Sequence, residues 1–319
     1  LDLLPLPQCF GARGLTPDPA LASAIDRMMR MLRRLRLGDG QLARFNGMGA
    51  TEREALAVVL AYQRSPESEP AVVSASGYVR LQRGTTTVVV DAGTPPPLVL
   101  AGRACAGCLS FELSAGTQVL LANGGVPVAA HERAMAAARG TSSHNTLVLG
   151  GQSSATLVRS ASLRRRIGAA PIRQPDRVSC VLEEGDGAVM LRASHDGYAS
   201  RFGLIHTRVL RLSADGLSLD GEDILEGSKG EISFTHDLPV AVHFHLMPSA
   251  GARYGATQGT ADLMLPSGAC WRFTSAGATL TIEAGTYFAD VLGPTHAQQI
   301  VLRTMCDGAT RIRWRLEQA

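Results

Sequence analysis

At 319 residues, with 45% hydrophobic and 18% charged side chains, the chain can bury a large core and is too apolar to be disordered. A net charge of +3 gives no case for a nucleic-acid partner or an anionic membrane surface, and no apolar run approaches a membrane span. Lys229 is the only lysine, so arginine supplies the rest of the positive charge. Guanidinium forks suit carboxylates and sulfates, although a GC-rich coding sequence is the simpler source of the bias.

The chain opens on "LDLLPLPQCFGARG", with neither an initiator Met nor the basic-then-apolar layout of an export signal, which predicts a fragment or a processed product. Pro17 to Leu37 carries apolar residues at helical spacing with arginines opposite, and predicts a helix that "GDG" stops. Thr51 to Gln63 predicts a second helix, with Thr51 as N-cap and acids in the first turn. The glycine-rich "LARFNGMGA" joins the two.

From about Ala71 the pattern becomes β. Hairpins are expected to turn near Arg83-Gly84, at Gly185-Asp186-Gly187 and at Asp215-Gly216, and "FELSAGTQVLLANGG" reads as two more strands. Frequent turns between apolar runs, without alternating long helices, predict a mainly β chain. The expected fold is a large, multi-sheet antiparallel sandwich preceded by a short helical segment. The expected division is residues 1–65 helical and 66–319 sandwich.

Six cysteines (Cys9, Cys105, Cys108, Cys180, Cys270, Cys306) are too scattered for a disulfide framework. Cys105-Ala-Gly-Cys108 has the spacing of half a zinc site or a redox pair, but no second such pair follows. Two small, semi-buried residues beside a strand is the favoured reading. The histidines are better candidates. In "RGTSSHNTLVLGGQ", His144 and Asn145 stand at the mouth of an apolar strand, where a histidine serves as acid, base or metal ligand. The same polar cluster equally serves as a cap on backbone groups. His195-Asp196-Gly197-Tyr198 reads as a turn, with Tyr198 either a phenolic acid or an exposed turn residue. His206 and Arg208 share a strand face, suited to an anionic ligand or simply to solvent. His243 and His245 share another face, with Phe244 opposite, a spacing that holds a metal when a third ligand is near. No nucleophile elbow, phosphate loop or H-E-x-x-H occurs.

"RGTSSHNTLVLGGQSS", "HDGYASRFGLIHTRVLRL" with "DGEDIL", and "VHFHLMPS" occur in the order found in the heparinase II/III-like polysaccharide lyases, and the chain resembles that family over essentially its whole length. "GDGQLARFNGMG" resembles the close of that family's helical toroid. The resemblance implies an incomplete (α/α) toroid followed by a multi-sheet sandwich, and cleavage of uronate polysaccharides by β-elimination. That reaction needs the uronate carboxylate neutralised, a base at C5 and an acid for the departing O4. In the family the sandwich lends a histidine to a cleft whose tyrosine and asparagine come mainly from the toroid, and some members hold a structural zinc.

By resemblance, His144 is the sandwich's catalytic histidine or a zinc ligand, with His206 as a second metal histidine. Asn145 and Tyr198 join His144 as catalytic candidates; Arg139, His195, Arg208 and His245 are substrate-binding candidates. No cofactor is required. A structural zinc lacks its acidic ligand, since "SATLVRSASLRRR" holds no Asp or Glu, and Met247 replaces a histidine of the His-Leu-His-Pro form. The implied partners are an anionic uronate polysaccharide and an N-terminal toroid of the same protein, without which the chain is expected to be inactive. The alternative is a non-catalytic carbohydrate-binding or structural sandwich module. The compartment stays open between bacterial periplasm and cytoplasm.

Overall fold

The computed structural model describes residues 2–62, 76–127, 132–158, 160, 162–164, 171–228, 237–306 and 309–319. Gln63, the 65/66 division, Lys229 and parts of "SATLVRSASLRRR" lie outside the described residues. Three helices come first: α1 (Leu6–Ala12), α2 (Pro19–Arg34) and α3 (Arg53–Ala61). Asp18 caps α2 by accepting the Ala20 N–H at 2.8 Å. Thr51 does not cap α3 as expected: its hydroxyl accepts the Leu42 N–H at 3.0 Å, and Glu52 stands at the cap without a side-chain bond. Among the described residues, no helix is long and apolar enough to cross a membrane.

The strands, numbered in chain order, form three main antiparallel sheets. β1 (Tyr78–Arg83), β2 (Thr86–Asp91), β3 (Phe111–Ala115) and β4 (Gln118–Leu121) make a meander. β5 (Leu147–Leu149) is an edge strand of a second sheet, beside β12 (Leu238–His245), β17 (Thr295–Cys306) and β16 (Thr279–Tyr287). Two backbone bonds, Ala122 N–H to His245 O and Met247 N–H to Leu120 O, tie the meander to that sheet. A small pair, β6 (Thr156–Leu157) and β7 (Pro171–Arg173), lies apart.

The third sheet has eight strands. One half is β8 (Val178–Gly185), β9 (Ala188–His195), β10 (Leu204–Leu212) and β11 (Ser218–Gly227). The other is β18 (Thr310–Gln318), β15 (Cys270–Ala276), β14 (Thr260–Met264) and β13 (Gly251–Tyr254). The three predicted hairpins form at the expected turns.

One continuous apolar core joins the three sheets. At its centre Phe111 of the meander stacks on Trp314 of β18 at 5.5 Å, and Phe244 of β12 meets both Trp314 and Phe273 edge-on at 4.9 Å. Gly221 of β11 lies opposite Trp314, and a Cβ there would fall 2.0 Å from the indole. Gly221→Ala is therefore expected to force the indole aside and cost roughly 1–3 kcal/mol, read as a lower thermal midpoint. An unchanged midpoint would mean the ring has room to move.

The connection between α2 and α3 packs into the sandwich as a strap. Leu37, Ala43 and Phe45 join Val89, Val119 and Tyr287 in a second cluster. Arg44 is 2% exposed and bonds to Glu112, which accepts from the Arg44 backbone N–H at 2.9 Å and its guanidinium at 3.0 Å. Glu112 also accepts the Asn123 N–H, so its buried charge is paired and fully bonded.

Candidate histidine site at the mouth of β5

A single 3-10 turn, Thr141–Ser143, delivers His144 in extended backbone at the start of β5. The turn is held by its own side chains, with the Thr141 hydroxyl donating to Ala106 O and accepting the Ser154 N–H. His144 Nδ1 lies 2.8 Å from Gly140 O; a carbonyl only accepts, so Nδ1 carries the proton and Nε2 the lone pair. By the same logic His245 Nε2 donates to Ser142 O at 2.9 Å. His243 stacks on His245 with centroids 5.8 Å apart and its Nδ1 3.1 Å from Gln299 Oε1. Burial pushes His144 down to about 4, and burial with neighbouring His243 and His144 pushes His245 down to about 3, so both are neutral at pH 7. Gly107 in the Cys105–Cys108 turn makes room for this ring: a Cβ there would lie 2.5 Å from the His144 imidazole. Both cysteines are free, and burial raises their thiols, Cys105 to about 11. The turn therefore serves packing.

Asn145 beside it is fully enclosed. Its amide donates to Phe111 O and accepts the His245 N–H, while its own N–H donates to Asn123, stitching β3, β5 and β12 together. Tyr198 is neither an exposed turn residue nor placed as a surface acid. It is 1% exposed and donates to Leu147 O at 2.7 Å. Tyr198→Phe is expected to cost about 1–3 kcal/mol for the orphaned carbonyl, with any activity of the protein untouched. A selective loss of turnover at unchanged stability would restore a chemical role.

His206 and Arg208, expected to face a ligand or solvent, are completely buried. Their anion is inside the chain. Asp223 of β11 accepts from Arg208 Nε at 2.8 Å and Nη2 at 3.1 Å, from His206 Nε2 at 2.8 Å and from Trp314 Nε1 at 3.0 Å. The remaining Arg208 nitrogen donates to the carbonyls of Leu109 and Asn145. Donors and acceptors form one line of neutral rings. Gly197 N–H donates to His195 Nδ1, His195 Nε2–H to His206 Nδ1, and His206 Nε2–H to Asp223. Burial opposes the Asp223 charge, but Arg208 and His206 hold its carboxyl well below the usual range. Arg139, 7% exposed, spends Nε and Nη2 on Ala104 O.

The proposed ligand pair His144 and His206 is thus split between two networks. Both nitrogens of His206 are engaged, and among the described residues no group of three His, Cys, Asp or Glu is placed to hold a metal ion. These residues do not fit a zinc. What the structure does bring together is His144 with His245, and His195 with His206 and Arg208. Sequence reasoning missed Asp223 as the organising anion, although "DGEDIL" displayed it. It also missed a cleft formed by Asn46, Tyr78 and Asp91.

Three antiparallel sheets sharing one core, preceded by short helices and the strap that joins them, define the sandwich module of a polysaccharide-lyase fold. Residues 65–315 match the family model described as Heparinase II/III-like, C-terminal, and the chain belongs to that family. It is 30% identical over 325 residues to FtsZ-localized protein C of Caulobacter vibrioides (strain NA1000 / CB15N), a match covering 100% of this chain and 55% of that protein. Among solved structures, a heparan sulfate lyase HepC mutant from Pedobacter heparinus superposes with a TM-score of 0.73 at 15% identity, over 95% of this chain and 48% of the other. A crystal structure of heparinase III gives 0.75 at 13% identity, over 100% and 52%. At such identities the likeness is one of fold. The chain spans about half the length of the relatives it matches.

Proposed function

We propose that this chain is the sandwich part of a polysaccharide lyase acting on a uronate-containing polymer, and that His144 is its contribution to the chemistry. The observation that carries this reading is the His144 ring itself: Nδ1–H is tied to Gly140 O, leaving a neutral imidazole whose Nε2 carries the lone pair at pH 7. In the elimination, Nε2 takes the C5 proton and the C5–H electron pair becomes the C4–C5 double bond. The C4–O4 bond then breaks, and O4 leaves with a proton from an acid. The carboxylate clamp and that acid are assigned to a preceding α/α toroid, because Arg139, Arg208 and Tyr198 are bound within the sandwich.

A second reading, a non-catalytic module of the same fold, is favoured by a specific observation. His144 is only 2% exposed, and the other candidate groups already have internal partners. The 30% identical relative is also named for localisation to FtsZ and not for an activity.

The two readings separate in an ultraviolet assay, since elimination creates an unsaturated, conjugated uronate and hydrolysis does not. A protein carrying this chain with its upstream sequence is expected to raise absorbance on a uronate polymer, and His144→Ala to abolish that rise. Retained activity in His144→Ala would remove this histidine from the chemistry. Silence of the parent protein across heparan-like and alginate-like polymers would favour the non-catalytic module.

A further inference from the structure

A cleft of about 540 Å³ is lined by Asn46 of the strap, Tyr78 and Asp91 of the meander, and Cys105, Ser154 and Gln174 among others; His144 does not line it. Its volume is in the range of small-molecule sites. Its polar groups are held in place before any ligand arrives. Asn46 sits in the left-handed region at φ 45°, a conformation asparagine tolerates better than most residues. Its Oδ1 accepts the Cys105 N–H at 3.1 Å, so its Nδ2 must face the cleft side, donating to the Tyr78 hydroxyl oxygen at 2.8 Å and Asp91 Oδ2 at 3.1 Å. Gln174 is fixed in the same way: Nε2 donates to Pro96 O at 2.7 Å, and Oε1 is left buried without a hydrogen-bond partner. A buried orphan acceptor is costly and calls for a donor.

Charge decides what that donor is. Among the described residues no Arg, Lys or His lines the cleft, and the one carboxyl there is Asp91. Burial pushes the Asp91 carboxyl up to about 7, so near neutrality it both donates and accepts. A carboxylate or sulfate entering here would meet acceptors, with no counter-charge among the described lining residues. Sugar hydroxyls, each a donor and an acceptor, match the Asp91 carboxyl and the Gln174 oxygen. The prolines at 96 and 175 give the cleft rigid apolar wall between those groups.

We propose that this cleft is a second ligand site, taking one or two rings of an uncharged, hydroxyl-rich sugar and rejecting carboxylated or sulfated ones. It uses none of the residues assigned to the elimination and stands or falls separately from that reading.

The test is saturation-transfer and chemical-shift titration by NMR of this chain with cellobiose and maltose, beside glucuronate, glucose 6-sulfate and glucosamine. At least one neutral disaccharide is expected to bind, with glucuronate and the sulfate at least tenfold weaker. Gln174→Met, which removes the orphan acceptor from a half-buried position, is expected to weaken the disaccharide at least fivefold while the thermal midpoint holds. Asp91→Asn supplies a second variant with the same expected direction. Binding of neither disaccharide overturns the proposal. So does equal binding by Gln174→Met and Asp91→Asn, or glucuronate binding as tightly as the neutral sugars. Glucosamine binding tenfold tighter than the disaccharides would make it a cation site and overturn it likewise.

Discussion

Asp223→Ala is expected to lower stability by about 3–5 kcal/mol, the loss typical when one partner of a buried ion pair is removed. The substitution leaves the Arg208 guanidinium with no exposure and no counter-charge, and strips His206 and Trp314 of their shared acceptor. A domain is typically stable by about 5–15 kcal/mol, so the variant will lose a large part of its stability or fail to accumulate as soluble protein. Denaturant midpoints are the measurement. Arg208→Met should cost a similar amount, because it strands the carboxylate. The double variant Arg208→Met/Asp223→Leu, which removes both charges, should be more stable than either single one. If each single substitution costs under about 1 kcal/mol, the network is not the keystone described.

Acid should unfold this protein through its histidines. His144, His195, His206, His243 and His245 are all pushed below their ordinary value, first of all by burial. In the unfolded chain each takes a proton as pH falls through about 6.5, whereas folded His144 waits until about 4 and folded His245 until about 3. Their contribution is therefore complete above pH 6.5 and is lost progressively below it, at about 1.4 kcal/mol per pH unit for each ring while it stays neutral in the fold. For His144 alone the loss between 6.5 and 4 is about 3 kcal/mol.

Two buried carboxyls act in the opposite sense. Asp91, raised by burial to about 7, and Glu112, raised chiefly by burial against the pull of Arg44, bind protons in the folded state before the unfolded one does. They add stability as pH falls towards the ordinary carboxylate range. Asp223, held low, gives up its contribution only below that range. Five lowered rings oppose two raised carboxyls, so denaturant midpoints measured at steps from pH 6.5 to 4.5 should fall. A flat profile would mean that some of these rings are already charged in the fold.

Much of the architecture was legible because its signals are local. Glycines at 84, 187 and 216 take positive φ at the three predicted hairpin turns, and the two predicted helices form within about three residues of their expected ends. A two-residue period correctly put His206 with Arg208 on one face of β10, and His243 with His245 on one face of β12. The family motifs were equally a matter of short stretches, and the family match over residues 65–315 agrees with them.

Which face points inward is not a local property. An arginine and a histidine on a strand read as solvated, since burying a charge alone is prohibitive. Here it is tolerated because Asp223 arrives from β11 and Trp314 from β18, partners separated in sequence by 15 and 91 residues from the groups they bond. Tyr198 and Asn145 turned inward for the same reason, each meeting a backbone carbonyl on another segment. The strap residues Arg44 and Asn46 read only as part of a glycine-rich connection; Glu112 and Asp91 beneath them give them their roles. Turns, periods and motifs are written within a few residues of chain. The pairing of a buried charge, and with it the difference between a ligand-binding group and a structural one, exists only once distant strands are neighbours.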